Sequence, residues 1–142
     1  MNYNLYIIVL FFVFGFSSTT KDIININLKA KFNNLTNKQW HYKWNENGTA
    51  HRIYGNKISR DVNVQSKTLL ELDARAFIQE NNFLFNKDDN EIEVWVNDTK
   101  GDIRYLIFNQ LYNGIPVWNS RIDFRYRLNG DMVLVGNDTF SD

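Results

Sequence analysis

The alternation of apolar and polar positions divides the chain into segments of different period. In QWHYKW (39–44), Trp40, Tyr42 and Trp44 fall on one side and Gln39, His41 and Lys43 on the other, the two-residue period of a half-buried strand. NENG turns this segment into TAHRIYG, a second extended stretch that Gly55 closes. Thr68-Leu-Leu-Glu71 has the form of a capping box, in which the threonine hydroxyl accepts from the first turn and the glutamate reaches back, so a helix is predicted to start there. Leu70, Ala74, Phe77 and Ile78 lie on one stripe of that helix with Leu69 and Asp73 at its border, and the stripe fades at Asn81 and Asn82. FLFN follows as an apolar exit. Four strands are then predicted at 91–97, 103–112, 116–128 and 132–136, separated by NDTKGD, Asn113-Gly114 and Asn129-Gly130. Connections this short make antiparallel neighbours. The expected fold is therefore α+β, with one helix packed on an antiparallel β-sheet of hairpin-linked strands.

The hairpin at Asn113-Gly114 admits two registers. A two-residue loop alone would set Arg104 opposite Asp123, Ile103 opposite Phe124 and Tyr105 opposite Ile122. It would also leave Leu106 and Phe108 on the wetter face beside Asn119 and Arg121, so a bulge or a loop one residue longer is the alternative, and either would regroup every side chain. Apolar residues on both faces of 103–111 suggest a strand covered on both sides.

The N-terminus changes the picture of where the chain works. Leu5–Phe16 is an unbroken apolar run followed by SSTT, shorter than the roughly 20 residues a membrane-spanning helix requires. It has the length of a signal-peptide core, with Gly15 and Ser17 as the small residues before a cut at Ser18. The expected organisation is a signal peptide at 1–18, an irregular lead at 19–38 that contains a possible short strand at 23–28, and one domain at 39–142. The protein is thus expected to be secreted.

Lys+Arg and Asp+Glu both number 16, so no net charge draws the chain toward nucleic acid or an anionic membrane. With no cysteine it has no disulfide, thiolate metal site or thiol nucleophile. His41 and His51 are the only histidines, and no spacing announces a third zinc ligand for them. Asp88, Asp89, Asn90, Glu91 and Glu93 lack the glycine and distal glutamate of an EF-hand and read as a solvated strand entrance. Arg121, Arg125 and Arg127 alternate with Ile122, Phe124 and Tyr126, placing three guanidinium groups on one strand face with Asp123 among them, which reads as a wet face opposing a buried one. The sequons at Asn34, Asn47, Asn97 and Asn137 are too few above chance, in a chain this rich in Asn, to establish a glycoprotein. No set of acid, base and nucleophile can be assembled, so the chain is not expected to be an enzyme or to hold a cofactor or metal.

The most informative stretch is FNQLYNGIPVWNS (108–120), which holds the only proline. Asn113-Gly114 supplies the turn, Pro116 begins the return strand, and Val117 and Trp118 are expected to re-enter the core. Gln110 is placed to bond the turn's backbone through its amide, using both donor and acceptor.

Three blocks of this chain, TAHRIYG (49–55), LDARAFIQENNFLFN (72–86) and FNQLYNGIPVWNSRIDFRYRLNGDMVLVGN (108–137), together resemble the propeptide domain shared by fungalysin-like and thermolysin-like metallopeptidases, the FTP domain. Gln110, Tyr112, Asn113, Gly114, Pro116 and Val117 match its glutamine, turn and Pro-Val signature, with Trp118 at the aromatic position. Asn119 stands where a small residue is usual and Asn86 where glycine is common. The resemblance, which runs from about Gln39 to Asp142, implies a non-catalytic prosegment: an intramolecular chaperone and inhibitor of a secreted zinc metallopeptidase, whose catalytic domain is the partner in cis or in trans. The His-Glu-x-x-His of such enzymes does not occur in this sequence. The alternative is a stand-alone secreted interaction module of the same fold with no protease partner.

Overall fold

The computed structural model describes residues 30, 32–34, 40–45, 49–85 and 91–140. The signal-peptide reading of 1–18, the possible strand at 23–28, Asn47 and residues 88–90 of the polar stretch lie outside them. The strands are β1 (His41–Trp44), β2 (Ala50–Ser59), β3 (Ile92–Lys100), β4 (Ile103–Tyr112), β5 (Ile115–Arg127) and β6 (Asp131–Asn137); the helices between β2 and β3 are α1 (Lys67–Glu80) and α2 (Asn82–Phe85).

One helix on a sheet of hairpin-linked strands is not what these elements build. The molecule is mainly a six-stranded antiparallel sheet, with 55% of the described residues in strands and 24% in short, minor helices. The strand order is β1-β2-β6-β5-β4-β3, so the N-terminal hairpin belongs to the same sheet as the later strands. The expectation failed because adjacency in sequence was taken for adjacency in space. β6 pairs with β5 through one edge and with β2 through the other, and β2 is distant in sequence. The helical content is also split. Asn82–Phe85 is a helical turn where an apolar exit was expected, and residues 30 and 32–34 of the supposedly irregular lead are helical, with Phe32 fully buried and edge-on to Trp40 and Tyr42.

Two boundaries moved for identifiable reasons. The cap of α1 is Ser66, not Thr68: Ser66 has extended backbone angles and its hydroxyl accepts from the Leu69 N–H at 3.3 Å, which starts the helix at Lys67. Gly55 lies inside β2 rather than at its end. A Cβ there would sit 2.7 Å from the Trp40 indole, so glycine is required by the ring that covers it.

Leu70, Ala74, Phe77 and Ile78, the apolar stripe of α1, are the buried residues of that helix. They meet the face of the sheet that carries Leu106, Phe108, Ile122, Phe124 and Tyr126. Phe124 is the centre of this core, with ring centroids of Phe77, Phe85 and Phe108 at 6.0, 6.2 and 6.1 Å, two of them edge-on. Tyr126 and Asn137, two polar residues drawn into the core, are bonded. The Tyr126 hydroxyl donates to Asp73, which also accepts from Arg60 at 2.9 Å; burial first, then the Asp73 carboxylate, push the Tyr126 phenol well above its ordinary pKa. Asn137, fully buried, donates to the Leu84 and Phe85 carbonyls at the end of α2 and accepts from Thr139 N–H at 3.0 Å. That position is closed to a glycan in the folded chain.

Candidate functional site

The site is made by two irregularities on neighbouring strands. At the end of the β4–β5 hairpin, Asn113 and Gly114 have φ of 50° and 79° and Tyr112 pairs with Ile115, so the turn is the expected two-residue one with both central residues left-handed. Further in, Asn109 pairs with Arg121 while Leu111 pairs with Pro116, so Gln110 alone stands against Val117–Ser120. This large bulge resolves the register. Beyond it Leu106 pairs with Phe124 and Phe108 with Ile122, while Ile103, Arg104 and Tyr105 face Arg127, Tyr126 and Arg125. A shift by an odd number of residues turns β5 over, which moves Leu106 and Phe108 from the wet face of the simple register into the core.

The bulge also decides where the signature residues point. Trp118 is 92% exposed and does not return to the core; Val117 is half-buried. Tyr112, Ile115 and Pro116 are exposed as well. Asn119, at φ 59°, bends the strand back so that Ser120 is buried. Gln110, only 3% exposed, lies beneath. Its Oε1 accepts from the Ser120 hydroxyl and from the Phe140 N–H at 2.9 Å, and its Nε2 donates to the Phe140 carbonyl at 3.1 Å. The expectation that both ends of this amide are used holds, but what it grips is residue 140 and the bulge, not the turn.

Opposite the helix-covered face, the odd-numbered residues of β4 are half-buried. Here a groove of about 360 Å³ is lined by Trp95, Asn109, Pro116, Val117, Trp118, Asn119, Ser120 and Arg121. Trp95 stands at a bulge of β3's own, between Val94 and Val96, and is 59% exposed. The side-chain amides of Asn109 and Asn119 have no hydrogen-bond partner among the described residues. Of the eight lining residues only Arg121 is charged, and Asp138 lies 3.7 Å from it. Arg104 and Arg121 bracket an uncharged run, 105–120, that includes the whole hairpin end.

Beyond the groove, Asp138 gathers basic side chains: Arg52 grips it with both terminal nitrogens at 2.8 and 3.2 Å, and His51 Nδ1 lies at 2.6 Å. Burial alone would raise this carboxyl, but the hydrogen bonds and charge of Arg52, with His51, outweigh it and hold Asp138 below its ordinary pKa. Arg125 pairs with Asp123 at 3.0 Å and lies over the Tyr105 ring, and Arg127 is exposed. His41 stacks on Tyr54 rather than approaching His51's carboxylate. Among the described residues no three His, Asp or Glu side chains come together as metal ligands, and no helix is long and apolar enough to cross a membrane.

Trp95, Asn109 and Asn119 were missed from sequence. Trp95 carried a signal: in IEVWV it sits out of phase with Ile92, Val94 and Val96, which assigns it to the other face. Asn109 and Asn119 had none, since only the bulge brings them to the same concavity. The chain matches no family model, no curated protein and no solved structure.

Proposed function

We propose that this is a non-catalytic binding domain that acts by surface contact, as a secreted prosegment that assists folding of a thermolysin/fungalysin-like metallopeptidase and blocks it until processing. The observation that carries the reading is Trp118, held 92% exposed on a bulge that Gln110 fastens from below. An apolar side chain presented on a fixed backbone loses little freedom when a partner covers it, which is the condition for a binding hot spot. The residues that carry the resemblance, Gln110, Tyr112, Asn113, Gly114, Pro116, Val117 and Trp118, divide between this presentation and its support. Tyr112, Ile115 and Trp118 form the contact, the turn and Gln110 shape it, and affinity comes from shape and aromatic burial rather than charge.

The test is refolding of a denatured thermolysin-like enzyme in the presence of the purified domain. Wild type is expected to raise the yield of active enzyme and to inhibit it, with a paired Tyr112→Ala, Trp118→Ala variant doing neither. No gain in yield and no inhibition at saturating concentration would refute the prosegment role.

A further inference from the structure

We propose that the groove between Trp95 and Trp118 binds a neutral saccharide. Its two walls are indoles, both largely exposed although neither needs to be for the fold. They stand on β3 and β5 with β4 between, a separation of about 10 Å across the sheet. Between them lie the amides of Asn109 and Asn119, each with a donor and an acceptor and no hydrogen-bond partner among the described residues, and the hydroxyl of Ser120 is already committed to Gln110.

This combination restricts the ligand. Indole faces favour a ligand with flat, weakly polar C–H surfaces. Unpaired amides favour one that both donates and accepts hydrogen bonds around its edge. A pyranose ring has that distribution, with C–H groups on its faces and hydroxyls at its rim. Charge excludes the other common classes: no carboxylate lines the groove to hold a cation, and the one cation, Arg121, already has Asp138 beside it, so an anion gains little. An added β-strand from a partner is disfavoured as well, because the Trp95 bulge interrupts the outer edge of β3, where Glu93, Asp98 and Lys100 are exposed.

The inference is independent of the prosegment reading and is tested without any protease. Tryptophan fluorescence and calorimetry are followed on titrating the domain with cellobiose, N,N′-diacetylchitobiose, maltose and lactose to millimolar concentration, with an uncharged proline-rich peptide and an acidic disaccharide as the other arms. A saturable response to at least one neutral sugar is expected, weakened about tenfold or more in Trp118→Ala and in Asn109→Ala. Both side chains are outside the core, and far-UV circular dichroism checks that the variants fold. Four outcomes overturn the inference: no saturable response to any neutral sugar, tighter binding of the acidic disaccharide, binding of the peptide alone, or a sugar response unchanged in both variants. Failure here leaves the refolding assay unaffected, and failure there leaves this groove intact.

Discussion

The two halves of β5 both carry large apolar side chains and treat them oppositely. In 121–127, Ile122, Phe124 and Tyr126 are fully buried beneath the helices; in 115–120, Ile115, Pro116 and Trp118 face solvent. Apolar content does not separate them. The bulge opposite Gln110 does, because it ends the helix-covered pairing and begins another phase of the same strand. Hydrophobicity in a strand therefore reports burial only when the register is known, and here one irregular pairing separates a core from a presented surface.

Substitutions can break that contrast at different points. The largest effect is expected at Phe124→Ala, which empties the centre of the aromatic cluster and should cost about 3–5 kcal/mol in denaturant unfolding. Gly55→Ala drives a methyl group into the Trp40 ring and should cost about 1–3 kcal/mol, with a shifted indole emission. Gln110→Ala tests the hinge between the halves. It leaves Ser120 and the Phe140 backbone unpaired, should cost about 1–3 kcal/mol, and should speed amide exchange at Phe140 well beyond any global loss of protection.

The Asp138 cluster sharpens the comparison through pH. Its folded carboxyl lies below the ordinary 3.8, so it adds stability above that value and loses it as pH falls through the folded pKa. Asp138→Asn should therefore flatten the fall in unfolding free energy between about pH 5 and pH 2. The smallest effect belongs to Trp118→Ala. In contrast to Phe124 on the same strand, it should change stability by no more than about 0.5 kcal/mol, and a larger loss would mean that the indole supports the fold rather than being displayed by it.

Local chemistry was legible wherever a residue acts on its own neighbours. The stripe of α1 and the Asn113-Gly114 turn follow from spacing and backbone preference alone, and each strand after α1 was found close to its observed limits. The cap was misplaced because Thr68-x-x-Glu71 competes with Ser66 two residues earlier, and both are acceptable caps until the backbone chooses. What sequence could not express was distant pairing. Nothing near Asp131–Asn137 says that β2 is its second neighbour, and nothing near Gln110 says that Phe140 will be its partner. Calling the chain a helix over a hairpin sheet followed from reading only adjacent segments. Of the candidate site, the hairpin was legible; the groove was not, because it exists only where two bulges, on β3 and β5, flank the same strand.

The position of β6 sets an order on the birth of this molecule. During synthesis the β1–β2 hairpin leaves the ribosome early and the β3–β4–β5 unit later, yet the strip that joins them is the last of the six described strands to emerge. Until then the growing polypeptide carries two open sheet borders side by side, each able to accept a stranger in place of β6.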